Sequence, residues 1–520
     1  MRWYLFVILG FLGLLLPMTV AYFQSSPGYM DADYYFASGV RLADGYGFTE
    51  RILWNYLDNP EGIPHPSHAY WMPLASLIAS LGMVLTGVKD FSSARLGFFL
   101  ISAGIPPLTA YLSLSITKKT GYALTAGLLA VFSGYYLPYF STTDTFGIYM
   151  VLGIFFFLLV GYAMTHLDPR SRGFASVGIG VIAGLAHFSR ADGILWLALA
   201  LLSVFLLEES NNKRRMLNFF FVVLGYLLVM APWFLRNYSA FGTPLAPGSN
   251  HALWLTSYDQ TYSYPASKLT FDSWVDSGWR AIFSSRLDAA KWNLQTAWAV
   301  QGVIFLLPLI FVGLWSFRHD LRIQIGVTAW ALTFVLMTLV FPFAGSRGGF
   351  FHSGAALQPL WWVLVPVGLE RIVAWIESKR NWRKGEAFRV FLIGTVFICI
   401  LMSFFILYER VFSAPGWGSE LARYRRVETF IADFSTLKDD AVLVGNPPGY
   451  FNISDRAAIA IPNEKLETII EAANRYGAKY LILEDNGTPL PLKPVYENPN
   501  SFPVILYLGE VDGARIFAIP

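Results

Sequence analysis

Cysteine is nearly absent from the sequence, and its scarcity excludes one way of holding the protein together. The chain has 520 residues and a single cysteine, Cys399, which lies inside a hydrophobic run. With one thiol, no intramolecular disulfide can form. Any part of the chain outside a membrane must therefore be held by packing and hydrogen bonds.

Charged side chains are also scarce. They make up 14% of the chain, whereas 55% of it is hydrophobic and 17% aromatic. This composition is too apolar for a water-soluble protein of this length and indicates a polytopic membrane protein. The formal net charge of +3 is close to balance and gives no sign of a nucleic-acid partner.

The first hydrophobic run lacks a signal-peptide cleavage site. Residues Trp3 to Phe23 are apolar, and no clear small-x-small motif follows them, which indicates an uncleaved first span. Further apolar runs bring the total to about eleven candidate spans. The runs are 3–22, 94–116, 121–140, 146–164, 175–189, 193–207, 216–235, 294–317, 323–342, 355–375 and 390–408.

Positive charge decides the orientation. If the ambiguous run Ala69–Val88 crossed the membrane, all later basic clusters would lie outside, against the positive-inside rule. These clusters are Lys118-Lys119, Arg170/Arg172, Lys213-Arg214-Arg215, Arg318/Arg322 and Arg380 to Arg389. We therefore expect Ala69–Val88 to lie on or dip into the membrane. The N-terminus is then inside and the C-terminus outside the cytoplasmic (plasma) membrane.

This orientation predicts two domains. Residues 1–408 form the transmembrane domain, with a first outer loop at 23–93 and a long outer loop at 237–291. Residues 409–520 form a small extracytoplasmic α/β domain, because AVLVG (441–445) and KYLIL (479–483) are typical of buried strands. A helix is expected over Asn463–Tyr476, and VILYLGEVDGARIFAI is typical of a hairpin.

Ionisable side chains are missing from the middle of the predicted spans. Only His187 falls clearly within a run, near its outer end. Because ion-coupled transporters normally carry polar sites near the bilayer midplane, this absence disfavours transport and favours chemistry at the outer surface. The residues expected at the outer face are Asp31, Asp33, His65, His68, Asp144, Arg190, Asp192, Arg236, Arg347 and His352.

The first outer loop carries the first acidic residues of the chain, Asp31 and Asp33. Apolar residues recur at three- and four-residue steps through Ala32, Phe36, Val40 and Ala43, which predicts an amphipathic helix along the membrane surface. Carboxylates beside an apolar boundary are suited to proton abstraction. The alternative is that Asp31 only caps the helix.

The long outer loop is rich in Trp, Tyr, Ser and Asp. Such residues suit sugar stacking and hydrogen bonding, and they equally suit a membrane-interface belt.

Several segments together resemble the GT-C superfamily of membrane glycosyltransferases, especially the branch of protein O-mannosyltransferases and lipid A aminoarabinose transferases. The resemblance runs over most of residues 1–375. The segments that carry it are DADYYFASGVRLADGYGF, PHPSHAYWMPL, STTDTFGIYM, GLAHFSRADGILW, APWFLRNYSAFGTPL and SRGGFFHSGAALQPLWW. It implies an α-helical polytopic GT-C fold and inverting transfer of a sugar from a polyprenyl-phosphate carrier to an outer-face acceptor.

The resemblance also implies roles for particular residues. Asp31 matches the loop aspartate of the family and would take the acceptor proton, with Asp33 as the runner-up. The departing phosphate gathers negative charge, which Arg347, His352 and Arg236 would stabilise.

Asp144 corresponds to an acidic position in the second outer loop that holds a metal or acceptor in some members. The alternative for Thr142, Thr143 and Asp144 is a helix N-cap. His65 and His68 are candidates for an acceptor, metal or phosphate site, against the alternative of interfacial packing or a loop hydrogen bond. Arg190 and Asp192 are expected to pair structurally. A divalent cation, Mg²⁺ or Mn²⁺ on Asp31 and Asp144, is left open.

The WWDYG-like segment of oligosaccharyltransferases is absent, so a monosaccharide donor is expected rather than an asparagine-linked glycan. The acceptor class, which is protein, lipid or polysaccharide, is not specified. Two alternatives to the enzyme stay open. They are a transporter or flippase for a lipid-linked saccharide and a non-catalytic assembly scaffold.

Overall fold

The protein is composed of two compact units, each assembled from separate stretches of chain. A computed structural model describes residues 1–166, 168–208, 212–380, 385–434 and 440–520. The helical unit comprises Met1–Phe23, Arg95–Pro244 and Leu287–Ala414. The α/β unit comprises Gln24–Ala94, Leu245–Arg286 and Pro415–Pro520.

α-Helices dominate the described residues. The first are α1 (Trp3–Tyr22), α2 (Met30–Ala43), α3 (Leu74–Thr86), α4 (Phe91–Ala94), α5 (Leu96–Thr117), α6 (Thr120–Val131), α7 (Phe146–Thr165), α8 (Pro169–Ser189), α9 (Leu195–Leu207), α10 (Asn212–Phe241), α11 (Ser249–Ala252) and α12 (Phe271–Asp276). The others are α13 (Gly278–Thr296), α14 (Leu307–Ser316), α15 (Leu321–Val335), α16 (Pro342–Ala344), α17 (Phe350–Gly354), α18 (Gln358–Arg380), α19 (Glu386–Leu407), α20 (Ser419–Ala432), α21 (Pro447–Ser454), α22 (Leu466–Tyr476) and α23 (Lys493–Glu497).

Strands and short helices of other types complete the secondary structure. The strands are β1 (Thr49–Glu50), β2 (Ile52–Leu53), β3 (His65–Pro66), β4 (Ala441–Val444), β5 (Ala458–Ala460), β6 (Ala478–Glu484), β7 (Leu506–Val511) and β8 (Ala514–Ala518). The 3-10 turns are Gly134–Tyr139, Ala191–Ile194, Tyr258–Tyr262, Ala266–Lys268, Ala355–Leu357, Leu490–Leu492 and Pro499–Ser501. The π-helical turns are Ala297–Gln301, Leu336–Val340, Gly345–Gly349 and Tyr408–Phe412.

Long apolar helices confirm the prediction of an integral membrane protein. Among the described residues, 7 helical segments are long and apolar enough to cross a membrane. They are Trp3–Tyr22, Phe91–Thr117, Phe146–Thr165, Asn212–Phe241, Leu321–Val340, Pro342–Arg380 and Glu386–Phe412. Shorter apolar helices lie at Leu74–Thr86, Thr120–Val131, Ala191–Leu207 and Leu307–Ser316. The predicted total of about eleven spans is therefore not confirmed.

The ambiguous run of the first outer loop forms α3, a helix of 13 residues. At a rise of about 1.5 Å per residue it is roughly 20 Å long, which is shorter than a hydrocarbon core of about 30 Å.

Of the basic clusters used to orient the chain, the one from Arg380 to Arg389 includes residues 381–384, which lie outside the described residues.

Two of the predicted runs contain a break in the helix. In the run 121–140, α6 ends at Val131, and a 3-10 turn that contains Pro138 follows it. The run 294–317 is interrupted after Gln301, where Val303 and Ile304 have φ angles of 41° and 62°. Helix α14 then begins with a proline at its first turn, a position that proline tolerates because its missing N–H has no intrahelical partner.

Close backbone contact positions α7 in the helical unit. A Cβ atom built on Gly153 of α7 would lie 1.9 Å from the carbonyl oxygen of Ala356, so only glycine permits this approach. The 3-10 turn that contains Ala356 follows α17 directly. This contact therefore holds α7 against the chain just after His352.

The α/β unit contains a six-stranded sheet with the order β2-β5-β4-β6-β8-β7. Strands β5, β4 and β6 are parallel, and β7 and β8 form an antiparallel hairpin beside β6. Side chains alternate between its two faces: Leu443 packs in one buried cluster and Val442 and Val444 in another. The predicted strands, the helix α22 between them and the terminal hairpin are confirmed.

Strand β2 comes from the first outer loop, about 400 residues from its partner. Ile52 and Leu53 pair in parallel with Ala458 and Ile459 of β5. Ala37 of α2, Ile52 and Phe451 of α21 form a buried cluster beside this pair. The first outer loop and the C-terminal segment therefore build one sheet and share a core.

Helix α2 forms where the sequence predicts it, but its buried surface is wider than expected. Phe36 and Val40, predicted to form the apolar face with Ala32, are half-buried, whereas Tyr34 and Ser38 are buried. The predicted helix is confirmed, and its buried surface extends beyond the predicted apolar positions because α2 packs against both α3 and α21. A helix with partners on two sides buries most of its circumference.

Candidate active site

Asp31 lies in the first turn of α2, in the α/β unit. The helix N-cap is Tyr29, whose side chain makes no capping hydrogen bond, so the interpretation of Asp31 as the N-cap is wrong. Asp31 is half-buried. Its carboxylate nevertheless lies at the positive end of the helix dipole, which favours an anion.

The turn before Asp31 is shaped by a tryptophan. Gly28 has a φ of 90°, and a Cβ atom added to it would lie 2.4 Å from the Trp417 indole. The Trp417 Nε1–H also donates to the carbonyl oxygen of Ser26 over 2.9 Å. Residues of the C-terminal segment thus determine how the chain enters α2.

Asp33, the second predicted carboxylate, is completely buried in the same unit. Asn446 donates from Nδ2 to Asp33 Oδ2 over 3.2 Å, and Asn452 donates from Nδ2 to the Asp33 backbone oxygen over 3.0 Å. Burial raises the pKa of Asp33 from 3.8 to about 8, against the opposing effect of the Asn446 hydrogen bond. Asp33 therefore joins α2 to α21 and the loop before it.

His65 and His68 have separate partners in the α/β unit. His65 Nε2 lies 2.6 Å from Asp58 Oδ2. The His68 ring lies between two serine hydroxyls, with Ser67 at Nδ1 and Ser76 at Nε2. The described contacts thus give the two imidazoles different environments rather than a shared ligand.

A buried chain of hydrogen bonds links α2 to Glu50 and His68, which lie later in the same loop. The Tyr34 hydroxyl donates to Glu50 Oε2 over 2.7 Å and accepts from the backbone N–H of His68 over 2.8 Å. Burial, followed by the Glu50 charge, raises the pKa of Tyr34. The cavity that Tyr34, Glu50 and His65 line has a volume of about 10 Å³, which is room for about one water molecule.

Asp144 and His352 are in direct contact in the helical unit. His352 Nε2 lies 3.1 Å from Asp144 Oδ2, and its Nδ1 lies 2.9 Å from the Gly348 carbonyl oxygen. The His352 ring also stacks on Phe146, with centroids 4.0 Å apart. An acceptor at each ring nitrogen and an aromatic face together fix the orientation of this imidazole.

The environment of Asp144 differs from the predicted helix cap. Helix α7 begins after Thr145, whose side chain makes no capping hydrogen bond. Instead, Asp144 Oδ1 accepts from the backbone N–H of Thr145 over 2.5 Å. The N-cap interpretation of Thr142, Thr143 and Asp144 is therefore wrong.

Arg347 lies at a kink between α16 and α17. Its φ and ψ are −97° and 22°, and the next residue, Gly348, has a φ of 115°. The break in the helix leaves the guanidinium exposed, while the Gly348 carbonyl oxygen turns toward His352. A single local distortion thus presents the arginine and orients the histidine.

The expected pair of Arg190 and Asp192 is confirmed. Arg190 Nε donates to Asp192 Oδ1 over 3.0 Å. Asp192 Oδ2 also accepts from the Ser353 hydroxyl over 2.5 Å. This second contact ties the 3-10 turn before α9 to α17, next to His352.

Arg236 lies near the end of α10. Its guanidinium packs over the rings of Trp233 and Phe241, 4.8 and 5.0 Å from their centroids. It also donates to the Asn237 side-chain oxygen over 3.0 Å.

Some residues of these networks are absent from the sequence-based prediction. Glu50, Asp58, Asn446, Asn452 and Ser353 were not predicted to belong to a site. Glu50 and Asp58 carry a usable signal, because they are further acidic residues of the same outer loop. The neutral side chains of Asn446, Asn452 and Ser353, in distant segments, carry no such signal.

The potential metal ligands are few. Within residues 1–166, 168–208, 212–380, 385–434 and 440–520, no three His, Cys, Asp or Glu side chains come together as a metal-binding group. Asp144, the carboxylate most directly linked to a metal by the resemblance, is accompanied by His352 and hydrogen-bonded by Thr145.

Comparison with known proteins gives a match in structure only. No protein-family model matches the chain, and no curated protein sequence matches it. ArnT from Cupriavidus metallidurans bound to undecaprenyl phosphate superimposes with a TM-score of 0.55 at 12% identity, covering 98% of this chain and 97% of its own.

Archaeal oligosaccharyltransferase structures are also similar. AglB from Archaeoglobus fulgidus in complex with an inhibitory peptide and a dolichol-phosphate has a TM-score of 0.57 at 13% identity, covering 92% of this chain and 69% of its own. The Archaeoglobus enzyme with Zn and sulfate has a TM-score of 0.57 at 13% identity, covering 92% and 67%. At such identities the likeness establishes the fold.

Proposed function

We propose that this chain, which has the GT-C fold of membrane glycosyltransferases, is an inverting glycosyltransferase that uses a polyprenyl-phosphate-linked sugar. The observation that carries the proposal is the likeness to ArnT, a structure solved with undecaprenyl phosphate, over 98% of this chain. The acceptor receives the sugar at the extracytoplasmic face of the plasma membrane. The N-terminus is on the cytoplasmic side, and the C-terminal segment is outside.

The proposed reaction is a single displacement at the anomeric carbon. An acceptor oxygen or nitrogen attacks this carbon from the face opposite the phosphate, and the bond from carbon to phosphate oxygen breaks with its electron pair remaining on the phosphate. The acceptor proton passes to a carboxylate. Configuration at the anomeric carbon is therefore inverted, and polyprenyl phosphate is released.

Asp31 is the proposed base. Its half-buried position allows a proton donor to approach, whereas Asp33 is completely buried and hydrogen-bonded to Asn446 and Asn452. An ionised carboxylate is required to accept the proton, and the raised pKa of Asp33 disfavours its ionised form. These differences favour Asp31 as the catalytic residue and Asp33 as a positioning residue.

Cationic residues are proposed to stabilise the departing phosphate. Arg347 is exposed at its kink, and five N–H groups allow its guanidinium to bind two phosphate oxygens at once. His352 contributes a second polar group whose orientation Asp144 fixes. Arg236 is assigned to the same role on the resemblance alone.

The proposed donor and acceptor classes are those that the sequence predicts. The donor is a monosaccharide on a polyprenyl phosphate, since the chain lacks a WWDYG-like segment. The acceptor is a protein, a lipid or a polysaccharide. A divalent cation, Mg²⁺ or Mn²⁺ on Asp31 and Asp144, stays a prediction, and no step of the proposed reaction is assigned to it.

Lipid analysis of cells with and without the gene tests the proposal. We expect a polyprenyl-phosphate monosaccharide to accumulate in membranes of the deletion strain, because its consumption stops. Mass spectrometry would identify both the sugar and the length of the polyprenyl chain. Unchanged carrier lipids, together with unchanged outer-face glycolipids and glycoproteins, would contradict the transferase and favour the scaffold.

Substitution of Arg347 tests the phosphate-binding role. Arg347→Gln is expected to lower kcat by about 10²-fold, the usual effect of removing one donor from a developing negative charge. Arg347→Lys keeps the charge but loses the planar fork, so its activity should be intermediate. The measurement is initial rate against donor concentration with purified protein.

Arg318 offers a matched control for this experiment. It is an exposed arginine of the helical unit whose guanidinium packs over Trp315, 4.6 Å from the ring centroid. Arg318→Gln should leave the rate unchanged. Equal losses in Arg347→Gln and Arg318→Gln would show that charge in general, rather than the kink at Gly348, is responsible.

A further inference from the structure

A groove opens on the helical unit at the ends of four helices. It has a volume of about 530 Å³ and lies where α5 and α7 end and where α8 and α15 begin. That volume is within the range of about 300–1,000 Å³ for small-molecule sites. The groove is therefore large enough for the head group of an amphiphile and part of its chains.

The groove is far from the proposed phosphate-binding residues. Asp144 precedes the first residue of α7, and His166, which lines the groove, follows its last residue. Helix α7 has 20 residues, which at about 1.5 Å per residue separates the two ends by roughly 30 Å. This separation is close to the thickness of a hydrocarbon core.

Apolar side chains form most of the groove wall. Leu158, Leu159 and Phe155 of α7 line one side, and Phe174 of α8 lines another. Phe174 is 72% exposed, so the groove is open at the periphery of the helical unit rather than sealed inside it. Hydrocarbon chains of a surrounding lipid bilayer can enter from this side.

Polar and basic groups are concentrated at one end of the groove. Lys118 directly follows the last residue of α5 as its C-cap, with a φ of 58°, and is exposed. Within the described ranges, its ammonium group has no hydrogen-bonding or ion-pair partner. The neighbouring Lys119, in contrast, pairs with Glu370.

Arg322 is a second, fixed cation that lines the groove. It is 8% exposed, donates to Asp320 from Nε and Nη2, and donates to Ser115 Oγ from Nη1 over 3.2 Å. Asp320 offsets its charge, so the unpaired Lys118 gives the polar end a net positive charge. The His166 ring stacks on Tyr162 at the same end, with centroids 3.9 Å apart.

We propose that this groove binds an anionic membrane phospholipid. Its phosphate group lies against Lys118 and the hydroxyl-rich end formed by Ser115 and Tyr162, and its acyl chains follow Leu158 and Phe174. An apolar wall with a net positive end, at membrane depth, is complementary to such a lipid and not to a zwitterionic one. The site is separate from the proposed sugar-transfer reaction and does not depend on it.

Native mass spectrometry of the purified protein tests this proposal. The protein is titrated with phosphatidylglycerol or with phosphatidylcholine of the same acyl chains, and bound lipids are counted. We expect phosphatidylglycerol to bind with higher affinity and Lys118→Gln to weaken that binding about fivefold, the effect of removing one lysine near an anionic lipid surface. Lys119→Gln, the matched control, should retain the wild-type affinity.

A second variant addresses the groove itself. Leu158→Trp fills the apolar part without changing charge, and it should also reduce phosphatidylglycerol binding while the melting temperature stays near that of the wild type. Inorganic phosphate should not compete at concentrations that match the lipid, because the acyl chains contribute to binding. Equal affinity for both lipids, an equal loss in Lys119→Gln, or undiminished binding to Leu158→Trp would overturn the proposal.

Discussion

Replacement of Asp31 by asparagine is expected to reduce sugar transfer by about 10³-fold without unfolding the protein, since general-base catalysis contributes about 10²–10⁴-fold. Asparagine has nearly the same shape as aspartate but cannot accept the acceptor proton. Asp31 is half-buried in the first turn of α2, so the change removes a charge without opening a cavity. The measurement is the initial rate with purified protein, polyprenyl-phosphate sugar and acceptor.

Asp33→Asn is the matched control, two residues along the same helix. Because Asp33 is completely buried and joins α2 to Asn446 and Asn452, its replacement should change activity far less than replacement of Asp31. Wild-type turnover in Asp31→Asn would contradict its assignment as the base. A complete loss in Asp33→Asn, with Asp31→Asn active, would transfer that role to Asp33.

The stability of the protein should depend on pH through Asp33. Its pKa is raised from 3.8 to about 8 in the folded protein, so between these values the folded state binds a proton that the unfolded state lacks. The free energy of unfolding therefore falls as pH rises from about 4 to about 8. With about 1.4 kcal/mol for each pKa unit, the upper bound on this loss is roughly 6 kcal/mol.

Thermal unfolding of wild-type and variant protein across this pH range measures the effect. We expect the melting temperature of the wild type to fall by at least about 5 °C, and the Asp33→Asn variant to show a flatter profile because its side chain cannot ionise. Asp433→Asn, an exposed change in the same unit, should follow the wild-type profile. Parallel profiles for the wild type and Asp33→Asn would show that Asp33 does not titrate in this range.

The helices of the membrane part were predictable because their signal is local. A run such as Phe146–Thr165 contains enough consecutive apolar residues to indicate a span by itself. The strands around Val442 and Leu481 were predictable for the same reason, since short buried runs between turn residues are typical of strands. The sequence therefore indicated the positions of the long apolar helices and of these strands.

The contacts between distant segments could not be predicted in this way. Asp144 and His352 are 208 residues apart, and Asp33 and Asn446 are 413 residues apart. No periodic pattern connects such pairs, and strand β2, at two residues, is too short to show alternation. The interruption of the π-helical turn at Arg347 also could not be predicted from the sequence, because glycines like those around it occur in ordinary helices and turns as well.

The surroundings of α2 show how the unpredicted contacts between distant segments affected the candidate site. The sequence predicted both carboxylates of the DAD motif at a membrane surface, and apolar periodicity supported only one buried face. The structure gives Asp31 and Asp33 different environments, because α21 covers the side of α2 that carries Asp33. Only knowledge of this partner could have separated their roles.

The joint sheet of the first outer loop and the C-terminal segment has a consequence for biosynthesis. Asn446 is made 413 residues after Asp33, which at about 5–20 residues per second corresponds to a delay of roughly 20–80 s. During that interval α2 has neither its Asn446 and Asn452 hydrogen bonds nor its contact with α21. The helix that carries Asp31 therefore acquires its final neighbours only when synthesis is nearly complete, and an unfinished chain in the membrane should be unable to transfer sugar.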